Sequence, residues 1–288
     1  MSKVVLITGT SSGFGKDTAE TLAKAGHKVY ATMRGVTSRH AAHAKELESK
    51  GIHVLEMDVQ DDASVDAAFK ALFERTGGKL DVVVNNAGFM VQGISESITT
   101  EHTSQMFDVN VIGIQRVLRA ALPQLRKNGS GLVINVGSIL GRVTIPFMSL
   151  YGATKFAVEA LTEGYRYELS QLGIDVVLVQ LGAYPTGLYG HLDGGEADRT
   201  KAYGDVANAQ AGLLQILQGM FAGADAPDPH DVAEAIATLA ATPAGQRPQR
   251  VVVGNGFGAD AVNAAVQPVQ SGLIGDLGMS GLEKLRGA

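Results

Sequence analysis

The 288-residue chain has no cysteine, no tryptophan, only 8 prolines and a charged fraction of 18%. Without thiols it can form no disulfide, no thiolate metal site and no cysteine nucleophile. Long apolar runs are missing as well. No stretch approaches the roughly 18 residues that a transmembrane helix needs, and the opening run Val4-Val5-Leu6-Ile7 is too short for the core of a secretion signal. A cytoplasmic protein without a membrane span is therefore expected. Lys and Arg number 24 against 29 Asp and Glu, a formal charge of −5, and no basic cluster exceeds a dipeptide. A nucleic-acid backbone demands concentrated positive charge, so nucleic acid is not expected as a partner. His40 and His43 stand three apart but lack a third ligand, and no metal is expected.

What the chain has in excess is glycine, at 36 residues, against a usual share of about 7%. Between the glycine-rich turns, short β-branched runs alternate with longer helical stretches. Strands are expected at 4–8, 28–32, 53–57, 82–84, 132–136, 175–179 and 250–253. Helices are expected at 16–25, 40–49, 63–73, 101–126, 149–172, 206–221 and 230–241. Continuous apolar strands are those covered on both faces, and their alternation with helices predicts an α/β fold. It is a Rossmann-type, doubly wound parallel sheet of about seven strands with helices on both faces, in a single domain. Residues 1–254 form that domain, and 182–226 read as a loop-and-helix insertion over the sheet edge. The glycine-rich tail, 255–288, is only weakly periodic and is expected to be irregular and to dock on a neighbouring subunit.

The first strand runs into Thr8-Gly9-Thr10-Ser11-Ser12-Gly13-Phe14-Gly15 and then a helix. Three glycines in a first strand-to-helix turn leave room for a dinucleotide pyrophosphate on bare helix amides, which makes Gly9, Ser11, Ser12, Gly13, Phe14 and Gly15 candidate cofactor residues. About 20 residues on, the second strand ends in Met33-Arg34 with no acid. An acid there would hold both ribose hydroxyls, whereas an arginine accommodates a ribose 2′-phosphate, so NADP(H) is expected ahead of NAD(H). Asp58 and Val59 close the third strand, where Asp58 is placed for the adenine amino group. Asn86, Ala87 and Gly88 follow the fourth strand beneath the cofactor.

Tyr151 and Lys155 stand four apart on one helix face. Among the seven tyrosines, Tyr151 alone has a lysine at the fourth position after it. A phenol with a reference pKa near 10 becomes useful at neutral pH only beside positive charge. Lys155 can supply that charge. Ser138, just after the fifth strand, is placed to hold the substrate oxygen while Tyr151 moves its proton.

These pieces resemble the short-chain dehydrogenase/reductase family over roughly residues 3–190. They are Thr8-Gly9-x-x-x-Gly13-x-Gly15, Asn85-Asn86-Ala87-Gly88, Asn110, Ser138 and Tyr151-x-x-x-Lys155. The resemblance implies that Ser138 orients the reacting oxygen and that Tyr151 is the general acid or base. It further implies that Lys155 holds the nicotinamide ribose while lowering the Tyr pKa, and that Asn110 anchors a water of the proton relay. Residues 29–34 with Ser12 look like the hydroxysteroid and retinol dehydrogenase branch, which mostly uses NADP. Where the family has Pro-Gly and then Thr, this chain has Leu181-Gly182-Ala183-Tyr184-Pro185-Thr186; Gly182 and Thr186 keep their cofactor role in this reading. The resemblance also implies that helices 101–126 and 149–172 pair between subunits, giving a homodimer or homotetramer.

Residues expected around the substrate are apolar: Leu140, Phe147, Tyr184, Leu188 and Tyr189, with Phe89, Met90, Ile139, Met148, Leu213, Leu217 and Phe221 near them. Such a lining suits a hydrophobic small-molecule ketone or secondary alcohol. The expected function is an NADP-preferring oxidoreductase acting on a CH-OH/C=O pair. A non-catalytic nucleotide-binding regulator remains an alternative, as does a lyase or epimerase recycling a bound cofactor.

Overall fold

A computed structural model describes residues 2–188, 195–223 and 226–287. Seven parallel strands form its sheet: β1 Val4–Thr8, β2 Lys28–Met33, β3 His53–Glu56, β4 Val82–Asn85, β5 Gly131–Val136, β6 Ile174–Leu181 and β7 Arg250–Val253. Their spatial order is β3-β2-β1-β4-β5-β6-β7, so the winding reverses between β1 and β4 and opens a crevice at that switch point. The expected seven strands are all present.

Ten helices accompany the strands among the described residues: α1 Gly13–Lys24, α2 Ala41–Ser49, α3 Asp62–Thr76, α4 Thr100–Phe107, α5 Gly113–Asn128, α6 Ser149–Ser170, α7 Ala197–Ala202, α8 Asp205–Ala222, α9 His230–Ala241 and α10 Ala259–Asp276. Successive strand residues point to opposite faces, and the apolar runs supply a core to each. Val5, Ile7, Val84 and Val179 pack under α1, α2 and α9, while Leu6, Val83, Val133 and Leu178 pack under α3, α5 and α6. A third cluster, with Met90, Met106, Leu140, Met148, Tyr151 and Leu217, caps the edge where the strands end.

Two expectations need correction. The stretch 101–126 is not one regular helix, because a π-helical turn, Asp108–Ile112, joins α4 to α5. The tail is not irregular either: α10 runs through Pro268 and two glycines. Contacts distant in sequence hold it there. Asn263 donates to Gln180 Oε1 at 2.7 Å, Arg250 reaches Gln267 at 3.4 Å, and the Arg286 amide returns to Ser170 O at 3.0 Å. Helix propensity alone gives no such signal.

Candidate active site

At the switch point, β1 and β4 are spliced by Thr8, whose hydroxyl accepts from the amides of Asn86 and Ala87, both at 3.0 Å. The Asn86 side chain then donates to Thr8 O at 2.9 Å and Gly9 O at 3.0 Å, bracing the glycine turn from below. No side chain fits there. A Cβ on Gly9, whose φ is +70°, would lie 2.8 Å from Ala87 Cα, and one on Gly15 would collide with Asn86 Nδ2 and Gly9 O. The turn delivers the chain to α1, whose N-cap Ser12 makes no side-chain capping bond and whose first turn holds no acid. A positive helix end without cap, acid or covering Cβ fits the pyrophosphate of a nicotinamide dinucleotide.

Beyond β2, Arg34 is half exposed, with Nη1 3.3 Å from Gln60 Oε1 and 3.6 Å from Asp58 Oδ2. Its carbonyl is bonded to His40 Nδ1 at 2.7 Å, and Glu56 accepts from the amides of Gly35 and Val36 at 2.6 and 2.8 Å. Glu56 therefore fixes the loop that carries the arginine. Asp58 also accepts from the Gln60 amide at 3.0 Å, while Val59 is buried against the α3 and α5 side of the core.

On the other side of the crevice, Ser138 Oγ accepts from the Leu140 amide at 3.1 Å and lies 3.4 Å from Leu181 O. It caps a 3-10 turn, Ile139–Gly141, that presses onto α6 so closely that a Cβ on Gly141 would lie 2.9 Å from Lys155 O. Tyr151 and Lys155 face that turn from α6, and both are buried. Lys155 Nζ donates to Val136 O at 3.0 Å and sits 5.6 Å from the Tyr151 ring centre. Burial pushes the Lys155 ammonium down to about 8, because a charge loses hydration there.

Asn110 lies inside the π-helical turn and is buried. Its amide donates to Phe89 O at 3.0 Å and Thr154 Oγ1 at 3.1 Å, and its carbonyl accepts from the Phe89 amide at 3.0 Å. Thr154 in turn donates to Tyr151 O at 2.7 Å. Both amide hydrogens of the Asn110 side chain are engaged. The side chain ties the loop after β4 to the helix that carries Tyr151. Sequence reasoning had no signal for Thr154.

Among the expected substrate residues, Leu140 is in the edge cluster and Leu188 packs against it. Phe147 is half-buried, with a left-handed φ of 66°, and its carbonyl accepts from the Gly93 amide at 2.9 Å. Tyr184 is a correction. Its ring is buried in the core beneath α9, edge-on to Phe14 at 5.6 Å, with its hydroxyl 3.5 Å from Asp231, so it does not line a substrate site. Burial and the Asp231 carboxylate push its phenol up to about 12. Tyr189 lies outside the described residues. Gly182 is pressed against Asn255, and Thr186 Oγ1 accepts from the Leu188 amide at 3.4 Å.

Residues 3–196 match the model of the family described as short chain dehydrogenase. The chain is 39% identical over 186 residues to a 3-ketodihydrosphingosine reductase of Bacteroides thetaiotaomicron, an alignment covering 64% of this chain and 65% of that one. It is 36% identical over 254 residues to estradiol 17-beta-dehydrogenase 1 of Rattus norvegicus, covering 84% and 71%. Among solved structures, the 3-ketoacyl-(acyl-carrier-protein) reductase of Brucella melitensis, complexed with NADH, superposes with a TM-score of 0.72 at 27% identity. That superposition covers 87% of this chain and 95% of the other. The chain thus spans just under two thirds of the bacterial reductase's length and somewhat more of the rat enzyme's.

Proposed function

Because the chain belongs to the short chain dehydrogenase family, we propose that it is an NADP-preferring oxidoreductase that interconverts a hydrophobic ketone and its secondary alcohol. The observation that carries this reading is the buried Lys155 ammonium beside the Tyr151 ring, with Ser138 on the turn packed against the same helix. A nicotinamide held by Gly9, Ser11, Ser12, Gly13, Phe14 and Gly15, with Gly88, Gly182 and Thr186 along its path, would supply the hydride chemistry. The chain's own part is binding and proton supply. Ser138 donates to the carbonyl oxygen and holds it near Tyr151. The Tyr151 hydroxyl gives its proton to that oxygen in reduction and takes it back in oxidation, and Lys155 stabilises the phenolate left behind. Asn110 anchors the relay water, as the family resemblance implies, and its side chain also sets the backbone of Tyr151 through Thr154.

Preference for the 2′-phosphate rests on Arg34 and on the lack of an acid at the end of β2. Apolar surface around Leu140 and Leu188 supports a hydrophobic substrate. The exposed apolar residues Ile112 and Phe156 support a homodimer or homotetramer.

The test is oxidation of NADPH and NADH, followed by absorbance, with bulky ketones. Wild type is expected to favour NADPH, and Arg34→Asp to shift that preference toward NADH. Tyr151→Phe should keep NADPH binding and lose roughly 10²- to 10⁴-fold in turnover. Near-normal turnover in Tyr151→Phe would remove the tyrosine from its role.

A further inference from the structure

Beside the edge cluster, under the insertion helices, lies a cavity of about 300 Å³ lined by Gln92, Ser97, Thr200, Lys201 and Gln210. Gln92 is wholly buried, yet neither its amide nitrogen nor its carbonyl oxygen has a hydrogen-bond partner. Gln210 Oε1 is likewise buried and unpartnered. An orphaned buried amide is costly, and native folds rarely keep one without a group to satisfy it. Three such atoms on one cavity mark a built site.

The cavity adjoins the cluster that contains Tyr151. Gln92 sits in the loop after β4, next to Met90 and Val91 of the cluster that contains Tyr151. That loop is stitched to the segment before α6 by the Gly93 to Phe147 bond. On α8, Gln210, Leu213 and Leu217 are spaced three and then four apart and so share one face. Leu217 is in the Tyr151 cluster and Leu213 packs against it. The rise from Leu217 to Gln210 is about 10 Å along the helix.

Resting on the reductase reading, we infer that this cavity is a distal subsite for a substrate with an apolar body about 10 Å long that ends, opposite its ketone, in a neutral hydroxyl or carboxamide. Two of the three unpartnered atoms are acceptors and one is a donor. A second ketone cannot donate to the acceptors, and a carboxylate would face them with like partial charge. A hydroxyl or carboxamide does both jobs. Lys201 also lines the cavity but is exposed, whereas the unpartnered atoms are buried.

Three probes test this: cyclohexylcyclohexanone unsubstituted, or carrying a hydroxyl or a carboxylate on the ring remote from the ketone. Turnover with NADPH and the shift in melting temperature on adding each ketone are both measured. Wild type should favour the hydroxy ketone at least about tenfold in kcat/KM over either analogue, since each leaves buried amide atoms unmatched. Gln92→Leu should reverse the order for the hydroxy and unsubstituted ketones, a reversal that general loss of stability would not produce. Gln210→Leu, on the insertion helix, should weaken the preference in the same direction. Equal turnover of hydroxy and unsubstituted ketones, unchanged in both variants, would show a cavity that holds only water, overturning the subsite while leaving the reductase reading intact. Preference for the carboxylate, lost in Lys201→Ala, would overturn it in favour of an anionic group. A melting shift specific to the hydroxy ketone without turnover would support the subsite and count against the reductase reading. Neither shift nor turnover would overturn it.

Discussion

Lys155 carries two opposed demands in one side chain. In the proposed mechanism its ammonium must be charged to draw the Tyr151 proton toward useful acidity, yet burial pushes it from the usual 10.5 down to about 8. The sign of the effect on stability follows from proton counting. Below pH 8 both folded and unfolded chains hold the proton, and the full burial penalty is present. Between about 8 and 10.5 the unfolded chain binds more protons, so folding stability rises with pH. Other groups titrate in that range, so the comparison is wild type against Lys155→Met. Urea unfolding across this window should show an extra rise in wild type, approaching 1.4 kcal/mol per pH unit at most, that the variant lacks. The variant should also lose turnover. Equal slopes in the two proteins would mean that Lys155 is not desolvated as the geometry indicates.

At the scale of elements, the glycine turn and helix α8 differ in how closely they are packed. The glycine turn is fixed by the Asn86 brace, so its tolerance for added atoms is local and sharp. Gly15→Ala drives a methyl into Asn86 Nδ2 and Gly9 O. It should cost about 1–3 kcal/mol and abolish the rise in melting temperature that NADPH gives wild type. Gly212 on α8 has open space at its Cβ position, and Gly212→Ala should stabilise by about 0.5–1 kcal/mol with NADPH binding unchanged. Calorimetric melting of both variants with and without NADPH checks the pair; an intact NADPH response in Gly15→Ala would mean that the turn is not the pyrophosphate cradle. The same contrast explains what could be read from sequence. The β-branched runs of the central strands β1, β4, β5 and β6 are legible because burial on both faces favours apolar residues at most positions, and α9 is legible because Pro229 and Pro243 bracket it. The Ser138, Tyr151 and Lys155 positions are legible from fixed spacing on one edge. The π-helical turn at Asn110 is not, since it depends on bonds to Phe89 and Thr154 rather than on local propensity. Gln92 stays hidden because a single polar residue in Phe89-Met90-Val91-Gln92-Gly93 gives no signal without Gln210, which arrives much later in the chain.

Across the whole molecule, the tail is joined to the helix that carries Tyr151 and Lys155 through buried charge. Glu159 of α6 accepts from Arg142 Nη2 and Arg250 Nε, both at 3.0 Å, and from Gln180 Nε2, while Glu163 pairs with the same two arginines. Gln180 is bonded to Asn263 of α10, and Arg250 to Gln267. One carboxylate thus links α6, β6, β7 and α10, and it lies one turn beyond Lys155 on α6. Desolvated arginines left short of negative charge are costly, because little solvent reaches them to compensate. Glu159→Gln keeps the shape and removes the charge, so it should lower stability by about 3 kcal/mol. The loss should be shared by the tail: amide exchange in α10 should accelerate together with that of β7, while β1 to β3, on the far side of the sheet, keep their protection. Unchanged exchange in α10 with destabilisation elsewhere would mean that the tail is held by its apolar contacts and not by this network.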